Sequence, residues 1–285
     1  MKTCRTCDRQ AAKGRKECLS CHGKRRRGTA VDRKILPGGP RVLLLDIETS
    51  LQLSYHFGQW GVNINPELTV EPTRMLCIAA KWLGEPETLF FSEWQHGPEG
   101  MVANAWLLLD EADVVVHYYG SRFDVPHLNR EFFLQGYTPP SPYRQVDLKL
   151  AVAKQFKFDS NKLEFISRAC GLDGKLKHEG AMLWRKVQEG DTAARARMEK
   201  YNRRDTELLE ECYERLLPWI PNPPHRHLYS LAGGCPNCGH DGVEPDGLYR
   251  TALSVYERFT CHDCGSWFRG SKRLDGAKIQ PAVIS

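Results

Sequence analysis

The pattern of hydrophobic positions predicts alternating strands and helices in the central part of the chain. Short continuous apolar runs are typical of buried strands, and they occur at residues 41–46, 75–83, 88–92 and 113–117. Apolar residues at helical spacing predict helices over residues 100–110, 123–135 and 195–217, and the pattern from residue 145 onward is mostly helical. Strands that precede and then alternate with helices indicate an α/β fold, with a mixed sheet covered by helices.

Two Cys-rich segments flank this central part and define the predicted domain organisation. The boundaries follow the cysteines, a Pro-Gly-Gly-Pro segment at residues 37–40 and a group of prolines that begins at Pro218. We expect a basic Cys-rich module at 1–28, a linker at 29–40, an α/β domain at 41–222, a second Cys-rich module at 229–271 and a tail at 272–285.

The composition favours a soluble protein. Hydrophobic residues make up 41% of the 285 residues and charged residues 26%, which is ordinary for a globular chain. No segment approaches the roughly 18 consecutive apolar residues of a membrane helix, and the N-terminus lacks the apolar core of a signal peptide. We therefore expect a protein of a reducing cytoplasm, the host cytoplasm if a phage encodes it, with no membrane partner.

Asp46 and Glu48 are expected to present two carboxylates on one face of the first predicted strand. Residues i and i+2 of a strand point to the same side, and an unpaired carboxylate at the end of an apolar strand is costly to bury. Bound metal ions would remove that cost. The alternative interpretation is that the strand simply ends there and both acids face water.

Two further acidic motifs follow along the chain. Asp124 closes the segment His-Tyr-Tyr-Gly-Ser-Arg-Phe-Asp after the fourth predicted strand. Tyr201 and Asp205 are expected to project together, because positions i and i+4 share a helix face. Taken singly, Asp124 could be an acid stabilised by a helix dipole, and Tyr201 a half-buried tyrosine of a surface helix.

In this order the motifs resemble those of the DEDD exonuclease superfamily, which is DnaQ-like. The order is Asp-x-Glu, His-x-x-Gly-x-x-Phe-Asp and Tyr-x-x-x-Asp, and the tyrosine is typical of the DEDDy branch, which includes the proofreading domains of family B DNA polymerases. Residues 161–172 and 217–222 resemble stand-alone phage and bacterial members. The resemblance covers residues 41–222 and implies an RNase H-like fold with a mixed five-stranded sheet.

The resemblance also implies phosphodiester hydrolysis with two metal ions. Mg²⁺ or Mn²⁺ fits a set of four carboxylates without histidine, because these hard ions prefer oxygen ligands. Asp46 is expected to bridge both ions. Glu48 and Asp205 would complete the shell of one ion, and Asp124 would help to hold the other. Tyr201 is expected to orient the attacking water, since a phenol with an ordinary pKa of about 10 is a poor base.

The second motif departs from the family pattern. It often reads His-Asn-Gly-x-x-Phe-Asp, whereas Tyr118 and Tyr119 follow His117 here and the glycine comes one place later. The asparagine of relatives helps to shape the substrate cleft, so the departure concerns substrate preference more than metal binding. His117 and Phe123 are candidate nucleic-acid contacts. For His117 the alternative is a histidine of the hydrophobic core.

Eight of the eleven cysteines form four Cys-x-x-Cys pairs, and this spacing predicts two structural Zn²⁺ sites. Ten residues separate the first two pairs and twenty-two separate the last two. Such short modules have too little core to fold without a metal. The expected ligands are Cys4, Cys7, Cys18 and Cys21 in the first module and Cys235, Cys238, Cys261 and Cys264 in the second, which resembles a zinc ribbon.

Basic and aromatic residues near the cysteines indicate nucleic-acid contacts. Residues 1–40 hold twelve Lys or Arg and three Asp or Glu, although a solvated tail is the alternative. The first module runs into four consecutive cations that suit a phosphate backbone, Lys24, Arg25, Arg26 and Arg27. In the ribbon, aromatic residues interleave with arginines from residue 249 to 269, a pattern that can stack single-stranded bases. At least half of these aromatic residues are expected to form the ribbon's own core, and both modules could instead recognise a protein.

The leading hypothesis is a metal-dependent 3′→5′ exonuclease that acts on DNA with a free 3′ end, assisted by its zinc modules. A replication or repair protein is a candidate partner. An RNA exonuclease and a structure-specific endonuclease are alternatives, because neither the fold nor the metal site determines the sugar or the position of the cut. A non-catalytic zinc-finger adaptor for nucleic acid is an alternative of another class.

Overall fold

The computed structural model describes residues 39–58, 60–61, 63–176, 178–220, 222–229 and 233–277. These residues divide into two compact units, and the chain passes from the first to the second between Glu214 and Arg215. None of the helices in the described ranges is long and apolar enough to cross a membrane. The predicted first Cys-rich module and its basic run lie outside the described residues.

A mixed five-stranded sheet forms the centre of the first unit, which confirms the expected α/β architecture. Its strands are β1 (Val42–Thr49), β4 (Met75–Trp82), β5 (Thr88–Ser92), β6 (Val114–His117) and β7 (Arg144–Asp147). Their order across the sheet is β5-β4-β1-β6-β7. Strand β1 pairs antiparallel with β4 and parallel with β6, so it is the central strand. A short hairpin of β2 (Leu53–Ser54) and β3 (Thr69–Glu71) interrupts the chain between β1 and β4.

Six helices of this unit belong to the described residues. They are α1 (Glu93–Glu111), α2 (Asp124–Leu134), α3 (Leu148–Gln155), α4 (Leu163–Ala169), α5 (Ala181–Gln188) and α6 (Thr192–Leu216). On one face of the sheet, Leu43 and Leu45 of β1 pack in a cluster with Trp106 of α1. On the other face, Ala79 of β4 packs in a cluster with Met198 of α6. The sheet is therefore covered on both sides.

Strand β1 continues beyond the apolar run that predicts it. The run ends at Asp46, and the pairing of Asp46 with Ala79 and of Glu48 with Cys77 extends the ladder, as the expectation of two carboxylates on one strand face requires. Strand β4 is buried along its whole length, so its backbone groups need partners and hold the polar part of β1 in the sheet. Both acids consequently lie inside a strand and share the face that α6 covers.

Helix α1 begins earlier than the predicted start at Gly100. The side chain of Ser92 accepts a hydrogen bond from the backbone N–H of Gln95, which caps the first turn. Gly97 then adopts a φ of 69° immediately before Pro98, and the helix is kinked there. Because glycine and proline interrupt a helical pattern, the sequence indicated only the longer part after the kink.

The second unit carries a three-stranded antiparallel sheet. Its strands are β8 (Val243–Arg250), β9 (Ser254–Cys261) and β10 (Trp267–Gly276), in the order β10-β9-β8. Cys261 is the last residue of β9, and the chain turns through Gly265 before β10 begins. We call this three-stranded sheet with its cysteine turns the ribbon.

Candidate active site

Strand β1 positions two carboxylates that are held by side chains of neighbouring helices. Asn202 of α6 donates from Nδ2 to Asp46 Oδ2 at 2.7 Å and to the Asp46 carbonyl at 3.2 Å. Trp184 of α5 donates from Nε1 to Glu48 Oε2 at 3.0 Å. Each hydrogen bond occupies one oxygen of its carboxylate. The bonds therefore fix the orientation of both acids, and each acid keeps lone pairs that can accept from other groups.

Helix α6 brings the third carboxylate to the same place. Tyr201 and Asp205 lie one turn apart on the face that covers β1, and Asp205 is 2% exposed. The oxygens offered by Asp46, Glu48 and Asp205 lie within 4.8 Å of one another. Among the described residues, Asp205 Oδ1 has no hydrogen-bond partner although it is buried. A buried carboxylate oxygen without a donor is a ligand position for a cation.

Asp124 reaches the site from the start of α2. Its Oδ1 accepts a hydrogen bond from the backbone N–H of Ile47 at 3.0 Å, and the side chain is 3% exposed. Ile47 lies between the two acids of β1, so Asp124 is anchored beside them. The carboxylate of Asp124 is not one of the three whose oxygens lie within 4.8 Å of one another. Asp124 therefore lies at the edge of the site.

The loop before Asp124 explains the departure in the second motif. Asp147 accepts hydrogen bonds from the backbone N–H groups of Tyr119 at 3.0 Å and Ser121 at 3.3 Å. Tyr119 adopts a φ of 70°, which is rare for a bulky residue. A Cβ at Gly120 would lie 2.5 Å from Cγ of His117. The extra residue is thus accommodated by a left-handed tyrosine, and the glycine is required by the close approach of the histidine.

Burial raises the pKa values of the acids, and neighbouring carboxylates add to the effect at Asp46 and Glu48. Burial, followed by the charges of the neighbouring carboxylates, raises the pKa of Asp46 well above its usual value. Burial and then the charge of Asp205 raise the pKa of Glu48 to about 8. Burial raises the pKa of Asp124 to about 7. Holding all four as carboxylates therefore needs compensating positive charge.

Lys175 supplies one positive charge, and the sequence analysis missed it. Its Nζ lies 2.5 Å from Asp205 Oδ2 and 3.2 Å from the Tyr201 hydroxyl oxygen. Burial opposes its charge, but Asp205 and the other carboxylates raise the pKa of Lys175. The residue lies in an irregular segment between α4 and α5. Neither periodicity nor motif spacing marks it, so only the fold reveals its contact.

Substitution of Lys175 by methionine is expected to destabilise the metal-free protein. The ion pair is neither fully exposed nor fully buried, so the loss should lie between the about 0–1 kcal/mol of a surface pair and the about 3–5 kcal/mol of a buried one. The same substitution should tighten Mn²⁺ binding, because it removes a cation that competes for Asp205. Thermal unfolding and calorimetric titration would measure both effects, with exposed Lys154→Met as control. Weaker Mn²⁺ binding would contradict this role for Lys175.

The two candidate nucleic-acid contacts have different surroundings. His117 is fully buried, and its Nε2 lies 3.1 Å from Gln145 Oε1. Burial lowers the pKa of His117, which favours the neutral ring. A ring with no exposed surface cannot contact a nucleic acid, so the core interpretation replaces the predicted contact. Phe123 is 40% exposed and remains a candidate contact.

The four cysteines of the ribbon converge at one point. Cys235 Sγ lies 3.7 Å from Cys264 Sγ, and Cys238 Sγ lies 3.7 Å from Cys261 Sγ. A tetrahedral zinc site with Zn–S bonds of about 2.3 Å has S···S edges of about 3.8 Å. All four sulfurs lie within 4.8 Å of one another, so the donor set and its spacing fit Zn²⁺.

The two cysteine turns of the ribbon have the same backbone geometry. Each Cys-x-x-Cys pair is followed by a glycine with positive φ, 85° at Gly239 and 71° at Gly265. The N–H of Gly239 donates to the carbonyl of Cys235, and that of Gly265 donates to the carbonyl of Cys261. The glycines allow the chain to turn back after the second cysteine. The predicted ligands Cys4, Cys7, Cys18 and Cys21, together with Lys24, Arg25, Arg26 and Arg27, lie outside the described residues.

Comparisons with known proteins concern the first unit in particular. A family model described as RNase H superfamily matches residues 67–217, more than half of the 285 residues. The matched segment contains Asp124 and Asp205 and begins after Asp46 and Glu48. A search of curated protein sequences gives no match.

Solved structures include one with a similar fold. It is the family B DNA polymerase from the hyperthermophilic archaeon Pyrobaculum calidifontis, with a TM-score of 0.51 and 18% sequence identity. The similarity covers 72% of this chain and 27% of that polymerase, so this chain spans about a quarter of the polymerase's length. At this identity the similarity concerns the fold alone.

Proposed function

Because the chain belongs to the RNase H superfamily, we propose that it is a metal-dependent 3′→5′ exonuclease that hydrolyses the phosphodiester bonds of DNA. The observation that carries the proposal is the convergence of Asp46, Glu48 and Asp205 within 4.8 Å, with Asp124 anchored beside them. This convergence, with a buried oxygen of Asp205 left without a donor among the described residues, suits divalent cations better than a purely structural cluster.

In this proposal the four carboxylates would hold two Mg²⁺ or Mn²⁺ ions, and Asp46 would be a ligand of both. Bound ions of this kind supply positive charge to the phosphate as its negative charge increases during hydrolysis. The protein's own contribution is to hold the ligands in place. Asn202 occupies one oxygen of Asp46 and Trp184 occupies one oxygen of Glu48, so the remaining lone pairs of both acids would be available to the ions.

Tyr201 acts in this proposal as a donor that positions the attacking water. Burial and then the charge of Asp205 raise the pKa of Tyr201 above the usual range of a phenol. A phenol with a raised pKa keeps its proton at neutral pH, so it is available as a hydrogen-bond donor and not as a base. Without metal ions, Lys175 Nζ lies 3.2 Å from the hydroxyl oxygen of Tyr201.

The polarity of cleavage tests the proposal most simply. Single-stranded DNA labelled at the 5′ end should give a descending ladder in Mg²⁺ or Mn²⁺. The same strand labelled at the 3′ end should release labelled mononucleotide first. Discrete internal fragments would indicate a structure-specific endonuclease, and preferential digestion of a matched RNA strand would indicate an RNA exonuclease. Absence of cleavage of both strands with either metal would leave the zinc-finger adaptor.

The pH dependence of stability and of metal binding follows from the raised pKa values. An acid whose pKa is higher in the folded state binds more protons there than in the unfolded chain, so stability falls as pH rises through that window. For Glu48 the window runs from its ordinary value of 4.5 to about 8. The melting temperature of the metal-free protein is therefore expected to fall as pH rises to about 8. Mn²⁺ should restore more stability at high pH, because the ligands must be deprotonated.

Differential scanning fluorimetry with and without Mn²⁺ would check this pH dependence. Glu48→Gln should flatten the fall in melting temperature, whereas the variant of a partly exposed acid outside the cluster, Glu207→Gln, should retain it. A metal-free protein that becomes more stable between neutral and alkaline pH would contradict the assignment of these acids.

We further propose that the two Cys₄ sets bind structural Zn²⁺ and that their modules assist nucleic-acid binding. The S···S distances of 3.7 Å in the ribbon support the zinc assignment there. The division into a module at 1–28, a linker at 29–40, an exonuclease domain at 41–222, a ribbon at 229–271 and a tail at 272–285 belongs to the same proposal. So does a role in replication or repair.

A further inference from the structure

The ribbon sheet has two chemically different faces, which are defined by its strand register. Residues directly opposite each other on neighbouring strands point to the same side. Tyr256 of β9 is opposite Tyr249 of β8 and Arg273 of β10. Arg258 is opposite Arg269, and Thr260 is opposite Trp267. Since alternate residues of β9 share a face, these side chains all lie on one side of the sheet.

The opposite side carries the aromatic packing of the ribbon itself. Phe259 of β9 is opposite Phe268 of β10, and their rings stack with centroids 5.7 Å apart and planes at 14°. Both side chains are half-buried, and Cys261 on the same face is 1% exposed. The expectation that many aromatic residues form the ribbon's own core therefore applies to this side.

The first side combines aromatic rings with guanidinium groups. Arg258 lies over the ring of Trp267 at 4.6 Å, and Arg269 lies over the ring of Tyr256 at 4.0 Å. Trp267 is 55% exposed and Tyr249 is 43% exposed. We call this side the aromatic–arginine face, and its members are Tyr249, Tyr256, Trp267, Arg258, Arg269 and Arg273.

The charge of this face suits an anionic ligand with flat groups. It carries three arginines and two carboxylates. Glu244 is opposite Thr260 on the same face. Asp246 Oδ1 lies 3.7 Å from Nη2 of Arg258, so Arg269 and Arg273 supply the remaining positive charge. Glu244 Oε2 lies 3.0 Å from His262 Nε2. Exposed rings stack bases of any sequence, and arginines contact the phosphates between them.

We infer that the aromatic–arginine face of the ribbon binds single-stranded nucleic acid by base stacking and phosphate contact, independently of the carboxylate site. This inference rests on the proposed function in one respect only, which is that nucleic acid is taken as the polyanion that binds. Single-stranded DNA and RNA both offer bases and phosphates to this face. The test therefore compares the two and determines which sugar is preferred.

The test measures binding of fluorescent oligothymidine and oligouridine by the full-length protein, over a series of salt concentrations. An Asp46→Asn background prevents degradation of the strand. Trp267→Leu keeps an apolar side chain and removes the ring, so we expect binding to weaken about tenfold with little change in salt dependence. Arg269→Gln should lower the slope of log K against log salt by about 0.7, the value for one phosphate contact of a single strand.

Arg250→Gln is the matched control, because Arg250 is opposite Val255 and points to the other side of the same sheet. It should leave the slope closer to that of the parent. Zinc content verifies that each variant keeps its ribbon. Equal affinity and equal slope for Arg269→Gln and Arg250→Gln would overturn the inference, and would leave the face to a protein partner.

The result of this binding test does not depend on whether the proposed exonuclease function is correct. Hydrolysis of the p-nitrophenyl ester of thymidine 5′-phosphate by the wild-type protein, with and without Mn²⁺, reports on the carboxylate site with a substrate too small to span a binding face. If the ester is not hydrolysed, the exonuclease proposal loses support, while the binding comparison still decides whether the face binds single strands.

Discussion

Replacement of Asp46 by asparagine is expected to reduce hydrolysis of single-stranded DNA by about a thousandfold or more, since metal ions contribute several kcal/mol to such reactions and each about 1.4 kcal/mol is a factor of ten. Asp46 is the acid shared between both proposed ions, so one substitution weakens both sites. The fold should tolerate the change, because an asparagine oxygen can still accept the hydrogen bond that Asn202 donates at 2.7 Å.

The same variant should not lose stability in the absence of metal. Burial and neighbouring carboxylates raise the pKa of Asp46, which means that its charged form opposes folding. The melting temperature of metal-free Asp46→Asn should therefore equal or exceed that of the wild type at about pH 8. Gel assays and thermal unfolding measure the two effects, with Asp159→Asn as an exposed control. Wild-type cleavage by Asp46→Asn would rule out the proposed site.

Replacement of Cys261 by serine is expected to unfold the ribbon. Zinc sites of this type contribute about 10–16 kcal/mol at neutral pH, and the ribbon has little apolar core to substitute for them. Cys261 ends β9 and is 1% exposed, so a serine would place an unpaired hydroxyl among three thiolates. The expected results are rapid proteolysis of the segment after Arg215 and the loss of one zinc ion per chain.

The number of zinc ions per chain measures the effect on the ribbon site directly. If both Cys₄ sets bind zinc, the wild type should contain two ions and Cys261→Ser one. Cys170→Ser is the control, because Cys170 lies outside the ribbon cluster. A Cys261→Ser protein that retains its full zinc content and its resistance to protease would contradict the zinc assignment of the ribbon.

Four of the five strands of the sheet could be predicted from the sequence because they are short apolar runs, whereas β7, with the sequence Arg-Gln-Val-Asp, is not one. Strand β5 was predicted with its observed bounds, Thr88–Ser92. The continuation of β1 past its apolar run was expected because Asp46 and Glu48 share a face only if both lie on the strand. The hairpin of β2 and β3 was not predicted, because strands of two and three residues are too short to show a periodic pattern.

The acidic residues that the structure brings together could be named from the sequence because motif spacing can be read along the chain. Lys175 and Trp184 were not found, because their contacts with Asp205 and Glu48 depend on how the segment after α4 crosses the site. His117 shows that the place of a residue in a motif does not reveal whether the fold buries it. Its place in a motif suggested a contact with nucleic acid, but the fold buries it completely.

Anomalous diffraction from crystals grown with Mn²⁺ would test the central claim most directly, because it locates metal ions without reference to activity. We expect a manganese peak among the carboxylates of Asp46, Glu48 and Asp205, and a second beside Asp46 and Asp124. Lys175 should be displaced from Asp205 in the same crystals. A zinc peak at the ribbon cysteines would serve as the internal control. A clear zinc peak, with no manganese peak at the carboxylates and with Lys175 still paired to Asp205, would contradict the account.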